Sequence, residues 1–162
     1  VAMALQSGDL IFHESQSQQS AAIRAAQGHH LTHVGIIYVD RQGTPWVLEA
    51  SAVASKTPLA SWIQDGKNAK YAIYRFQGLT PAQIDRVIAA AQVYVKQRRP
   101  YDGTFYLGDG GAKLYCSELV ELAFAEAGLQ IGKRQKIGEL GLNNRAVDRI
   151  FETRWPRHPL CA

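Results

Sequence analysis

Two runs rich in β-branched and aromatic residues, His33–Val39 and Trp46–Ala50, are joined by a segment beginning Asp40-Arg41-Gln42-Gly43. That is turn chemistry between two strands, and it predicts a β-hairpin. The hairpin must share its fold with helices. Thr80-Pro81-Ala82-Gln83 carries a Thr N-cap, Pro at the first helical position and Gln at the reciprocal capping place. Ile84, Val87, Ile88, Ala91 and Val95 then form an apolar stripe that predicts a helix to about Gln97. A second stripe, Leu119, Val120, Ala123, Phe124 and Ala127, runs to Gly128, where a left-handed cap is wanted. Leu10–Phe12 after the Gly8-Asp9 turn and Tyr71–Phe76 read as further strands, and 20–27 and 144–152 as further helices. The expected class is α+β: a small antiparallel sheet or barrel packed against helices. With 162 residues, no repeats and no convincing linker, the expected organisation is one domain over 1–162.

Composition closes off several functions. An apolar share of 46% with 20% charged residues is globular rather than disordered. The net charge of +4 is mild, and its two clusters, Lys96-Gln97-Arg98-Arg99 and Lys133-Arg134-Gln135-Lys136, fall near expected helix ends or loops. No nucleic-acid module accompanies them, so no nucleic-acid partner is expected. No apolar run approaches the roughly 18 residues of a membrane helix, so no stable membrane insertion is expected either. No signal peptide is visible at Val1-Ala2-Met3-Ala4, which leaves the compartment open. A monomer is the expected state.

Cys116 and Cys161 are the two cysteines, too few for a disulfide framework. Cys161, next to the end of the sequence, reads as a free thiol. Cys116 opens the helix of the second stripe. A thiol in a first helical turn meets the positive end of the helix dipole and unpaired N–H groups, and both favour the nucleophilic thiolate. The plain alternative is a small buried residue at a helix start. A cysteine nucleophile needs a base and a group to orient that base. Of five histidines, His158 lies in a Pro-rich tail, His29 and His30 follow a helix stop, and His13 closes a strand and stays a candidate. His33 opens the apolar strand Val34–Val39, which would hold an imidazole rigidly, and Gly35 leaves room for a close neighbour. Glu49 is the one charge in the partner strand. A register setting it directly across from His33 puts their Cβ atoms about 5 Å apart, provided the turn has odd length. A solvated strand face for Glu49 and a structural strand-end His33 are the alternatives.

Gly8-Asp9-Leu10-Ile11-Phe12, Thr32-His33-Val34-Gly35-Ile36, Val47-Leu48-Glu49-Ala50 and Tyr115-Cys116-Ser117-Glu118-Leu119-Val120, in this order, resemble the YiiX/YebB-like cysteine hydrolases. These are the circularly permuted branch of the NlpC-type, papain-like superfamily. Pro100-Tyr101-Asp102 and the segment from Thr57-Pro58-Leu59 to Trp62-Ile63 match as well. The resemblance covers a core of about 8–130, leaving a helix and tail over 131–162. It implies Cys116 as nucleophile, His33 as base and Glu49 as the orienting group, with the Cys116 N–H in an oxyanion hole and Tyr101 and Tyr115 lining the cleft. It also implies a thioester acyl-enzyme and amide substrates such as short cell-wall peptides, hence an expected envelope or periplasmic setting.

Related enzymes of the lecithin:retinol acyltransferase type share the permuted order, so a lipid acyl substrate is a second reading, and a non-catalytic binding module a third. No metal and no cofactor are expected. His29-His30-Leu31-Thr32-His33 with His13-Glu14 does not fit a zinc spacing, and Gly108–Leu114 lacks the Gly-Lys-Ser/Thr ending of a phosphate loop. The Gly103–Gly111 stretch reads as a loop bordering the site.

Overall fold

The computed structural model describes residues 4–17, 20, 21, 23, 24, 28–104 and 106–132. The helix expected over 20–27 lies partly outside these residues; the helix expected over 144–152, His158 and Cys161 lie wholly outside them. In chain order the elements are β1 (Leu10–Ser15), β2 (His33–Val39), β3 (Pro45–Ala50), β4 (Ala54–Pro58), α1 (Leu59–Asp65), β5 (Gly66–Tyr74), α2 (Pro81–Lys96), a 3-10 turn at Leu107–Asp109, and α3 (Cys116–Ala125). The strands form one antiparallel sheet in the order β4-β3-β2-β1-β5.

Alternation along β1, β2 and β3 sends apolar side chains to both faces. On one face Leu10, Val34, Ile36, Leu48 and Ala50 meet Val87, Ile88 and Ala91 of α2 and Leu119, Val120, Ala123 and Phe124 of α3. On the other face Ile11, Ile37 and Val47 are covered by Trp62, the one buried residue of α1. The two stripes of the sequence thus cover the larger core. Their caps form as their residues dictate: Gln83 N–H donates to Thr80 Oγ1 at 3.1 Å while Thr80 N–H donates to Gln83 Oε1 at 3.0 Å. After α3, Gly128 takes φ +73°, and Leu129 N–H bonds back to the Phe124 carbonyl at 3.1 Å.

The elements β4 and α1 were not among those expected. Ala54-Ser55-Lys56-Thr57-Pro58 is a polar edge strand without an apolar run, and α1 is too short to display a helical period. Strand β5 also starts earlier than expected, at Gly66. It bulges between its pairings with Ser15 and His13, where Asn68 (φ +56°) and Ala69 (φ +52°) are left-handed.

The hairpin forms, but its register differs from direct His33–Glu49 pairing. Val39 faces Pro45 and Ile36 faces Leu48, so the connection is Asp40–Thr44. The Asp40 carboxylate fixes its length: Oδ1 accepts from the Gln42 and Thr44 N–H groups at 3.0 and 2.8 Å, and Oδ2 from Trp46 Nε1 at 3.0 Å. That odd-length loop brings Glu49 across from Gly35 and makes His33 its diagonal neighbour on the same face.

Gly35 is needed there. A Cβ at this position would run into Val47 Cγ1 and lie 3.1 Å from the Leu48 carbonyl oxygen and 3.6 Å from Glu49 Cβ. Overpacking of this kind costs about 1–3 kcal/mol. Gly35→Ala is therefore expected to lower Tm by roughly 3–10 °C in calorimetry; an unchanged Tm would show that the β2–β3 approach is looser than described.

Candidate active site

Three chain segments far apart in sequence meet at one end of the sheet. β2 contributes His33 at its first residue, β3 contributes Glu49 near its last, and α3 contributes Cys116 at its first. His33 Nε2 lies 2.8 Å from Glu49 Oε1. The other Glu49 oxygen accepts from Thr57 Oγ1 on β4 at 2.6 Å. The remaining imidazole nitrogen is left for the Cys116 thiol, with which His33 also interacts. Cys116 is half-buried as a residue.

The electrostatics follow from this chain of contacts. Burial opposes charge on all three groups, and in each case the partners outweigh it. Burial penalises the charged imidazole of His33, yet hydrogen bonds and charge from Cys116 and Glu49 push its pKa up to about 10. Burial likewise pushes the thiol up, but His33 and the N–H groups of Val34 and Ser117 bring Cys116 below the ordinary thiol value. Glu49, despite its burial, is held below the usual carboxylate range by His33, Thr57 and Trp62. The arrangement favours a thiolate, an imidazolium and a carboxylate in line, so a nucleophile is held beside a proton donor.

Around this line stand residues that sequence reasoning weighed lightly. His13, one candidate base, lies on β1 directly across from His33, is 3% exposed, and stacks on Trp62 with ring centroids 3.7 Å apart. Burial, then the His33 charge, lowers its pKa to about 4, so it stays neutral at ordinary pH. Thr57 and Trp62 entered the sequence reading only through family resemblance, because neither stands in a segment with a readable period. His29 and His30 stack on each other in an exposed turn, 4.6 Å between centroids, as their position after a helix stop suggested. Tyr115 is the residue before Cys116 and caps α3, while Tyr101 bridges to Leu114 just upstream; both are half-buried. Asp102 is buried, and its carboxylate accepts from the Thr104 and Tyr106 N–H groups at 2.8 and 2.7 Å, folding the start of the Gly103–Gly111 loop.

Comparison with known proteins bears on this geometry. Residues 4–157 match the sequence profile of a family described as permuted papain-like amidase enzymes, YaeF/YiiX, C92 family. The chain belongs to this family. This amidase is accordingly a hydrolase of the cysteine-peptidase type, on a permuted papain-like α+β fold. It is 34% identical over 155 residues to the uncharacterised protein YiiX of Escherichia coli strain K12, covering 94% of this chain and 74% of YiiX. A crystal structure described as that of the metalloprotein yiiX from Escherichia coli O157:H7 superposes with a TM-score of 0.88 at 34% identity. That match covers 96% of this chain and 85% of the other.

A metal is thus ascribed to a relative of the amidase. Among the described residues of this chain, no group of three or more His, Cys, Asp and Glu side chains is placed to hold a metal ion. The described residues do not fit such a centre. Among the same residues, no helix is long and apolar enough to cross a membrane.

One further carboxyl lies two residues after Cys116 in the amidase. Glu118 is 2% exposed in the first turn of α3, and its Oε2 faces the Tyr115 N–H at 3.5 Å. The helix terminus favours its anion, but burial together with Asp109, Asp102 and Glu121 raises its pKa to about 7. The folded state therefore holds a proton that the unfolded chain releases near pH 4.5, and stability falls as pH rises from about 4.5 through 7. Glu118→Gln, which keeps an acceptor oxygen, is expected to raise Tm at pH 8 by several degrees and to change it little at pH 4.5. Equal shifts at both pH values in thermal melts would contradict a proton-bearing Glu118.

Proposed function

We propose that Cys116, His33 and Glu49 are the nucleophile, base and orienting carboxylate of an amidase that cleaves short cell-wall-type peptides through a thioester acyl-enzyme. The observation that carries this is the position of His33, engaged by Glu49 at 2.8 Å on one side and by Cys116 on the other. A structural histidine at a strand end needs one partner; a base needs both.

The thiolate of Cys116 attacks the amide carbonyl, forming the C–S bond while the C=O electron pair moves onto oxygen. The Cys116 N–H lies in the first turn of α3, where backbone donors lack intrahelical acceptors, and is suited to that oxyanion. As the C–N bond breaks, the imidazolium of His33 gives its proton to the leaving amine. A water, deprotonated by the now neutral His33, then attacks the thioester and returns Cys116 as thiolate. Glu49 stabilises the imidazolium throughout and is fixed by Thr57. Tyr115, next to Cys116, and Tyr101, bridged to Leu114, are half-buried and take the role of lining the approach to the thiol. The family description as amidases supports an amide rather than a lipid ester as the scissile bond.

Three measurements test this. Iodoacetamide at pH 6 is expected to label Cys116 in preference to Cys161, and His33→Ala to abolish that low-pH labelling while lowering kcat by roughly 10²–10⁴-fold. Labelling of Cys116 that is indifferent to His33→Ala would overturn the thiolate–imidazolium pair. The lowered thiol and the raised imidazole bound the active protonation state, so kcat/KM is expected to rise from below the ordinary thiol value and fall only near pH 10. A rise centred near pH 9 would mean an unactivated cysteine. A muropeptide panel compared with phospholipid vesicles separates the substrates: release of amino acids is expected, and release of fatty acid alone would overturn the amide assignment.

A further inference from the structure

The base sits in an environment more elaborate than its two hydrogen-bonding partners require. A bond from Nε2 to Glu49 fixes one atom of the imidazole, but the ring still turns, because the terminal torsion of histidine is broad. Aiming the opposite nitrogen at Cys116 needs the plane of the ring to be held as well. Two flat surfaces lie against it. Trp62 approaches His33 with centroids 5.7 Å apart and planes 25° from parallel, and His13 approaches it at 5.3 Å and 34°. His13 in turn stacks on Trp62 at 3.7 Å and 17°.

Three separate features build the seat of His13. The pairing of β1 with β2 places it directly across from His33, on the same face. The bulge in β5 interrupts the pairing beside it, and Gly66 closes over its ring, where a Cβ would lie 2.8 Å from Nδ1 and 3.0 Å from its Cβ. The seventh-residue limit of α1 leaves Trp62 as that helix's only buried side chain, flat against the imidazole. This seat holds a ring whose Nδ1 is buried without a hydrogen-bond partner of good geometry. A buried polar atom left so is unfavourable, and a phenyl ring would fill the same space without it.

We propose that His13 is a positioning residue: its ring, with Trp62, fixes the plane of His33 so that the base faces Cys116. This rests on the triad proposed above. The groups facing His13 are His33 from β2, Glu49 from β3, Tyr71 from β5 and Trp62 from α1. Among them His33 is the single cation and Glu49 the single anion. A neutral ring at 13 therefore leaves the charge of the His33–Glu49 pair balanced.

The test is the pH profile of Cys116 alkylation by iodoacetamide between pH 4 and 9 in three variants of the full chain, with Tm recorded alongside. His13→Leu and His13→Gln remove the ring; His13→Phe keeps it and removes the nitrogens. The ringless variants are expected to lose about tenfold in the alkylation rate at pH 6, with the acid limb moved towards that of an ordinary thiol, a change worth about one pKa unit. His13→Phe is expected to stay within about twofold of the parent, with a Tm equal or higher. Ringless profiles that superimpose on the parent would overturn the proposal, and so would a Phe variant that loses as much as they do. If one ringless variant fails to fold, the other and the Phe variant still decide between these results. A parent protein without low-pH reactivity would instead overturn the triad itself, so the two failures are distinguishable.

Discussion

The site depends on one parity constraint. His33 and Glu49 reach each other because the connection between their strands, Asp40–Thr44, has an odd number of residues, which keeps both side chains on one face of the sheet. A change of one residue in that connection would send Glu49 to the opposite face, into the packing of α2 and α3. There a carboxylate would find Val34 and Ile36 of β2 for neighbours and no cation. Asp40 enforces the length from outside the site, by tying Gln42, Thr44 and Trp46 together. The His33–Glu49 contact is thus set by a solvent-side turn some distance along the hairpin.

Burial in this site is opposed by pairing, and pairing wins three times over. A lone buried carboxylate or imidazolium is expensive, by several kcal/mol for each ion. Cys116, His33 and Glu49 avoid that penalty only as a row in which each charge has an opposite neighbour, with Thr57 closing one end and the Val34 and Ser117 N–H groups closing the other. The row is cooperative for the same reason. Removing its middle member leaves Glu49 without its cation and returns Cys116 to the thiol form.

Much of this was legible in the sequence, and the misses have physical causes. The hairpin, both long helices and their caps follow from local rules, and Cys116, His33 and Glu49, picked out at a helix start, a strand start and as the lone strand charge, are brought together by the fold. The register of the hairpin could not be read, because turn chemistry alone does not say that Asp40 will gather three donors and lengthen the loop. β4 escaped because an edge strand shows no apolar alternation, and with it went Thr57. α1 escaped because seven residues with one buried side chain carry no period, and with it went the contact between Trp62 and His13. His13 itself was visible as a residue but not as a neighbour of His33, since that relation exists only through the β1–β2 register.

The sheet divides the molecule unequally. Two long helices lie on one face, while the short α1 covers the other through Trp62 flanked by Leu59 and Ile63; His33 and Glu49 are buried on that thinner side, with Cys116 at the edge of the larger core. Opening of α1 would wet Glu49, His33 and His13 without disturbing the contacts among α2, α3 and the strands. Local unfolding free energies follow the local density of buried contacts. The protein can therefore lose its ion-pair row in a partial opening well short of denaturation. What guards that row is the seating of Trp62, a separate matter from the melting of the main core.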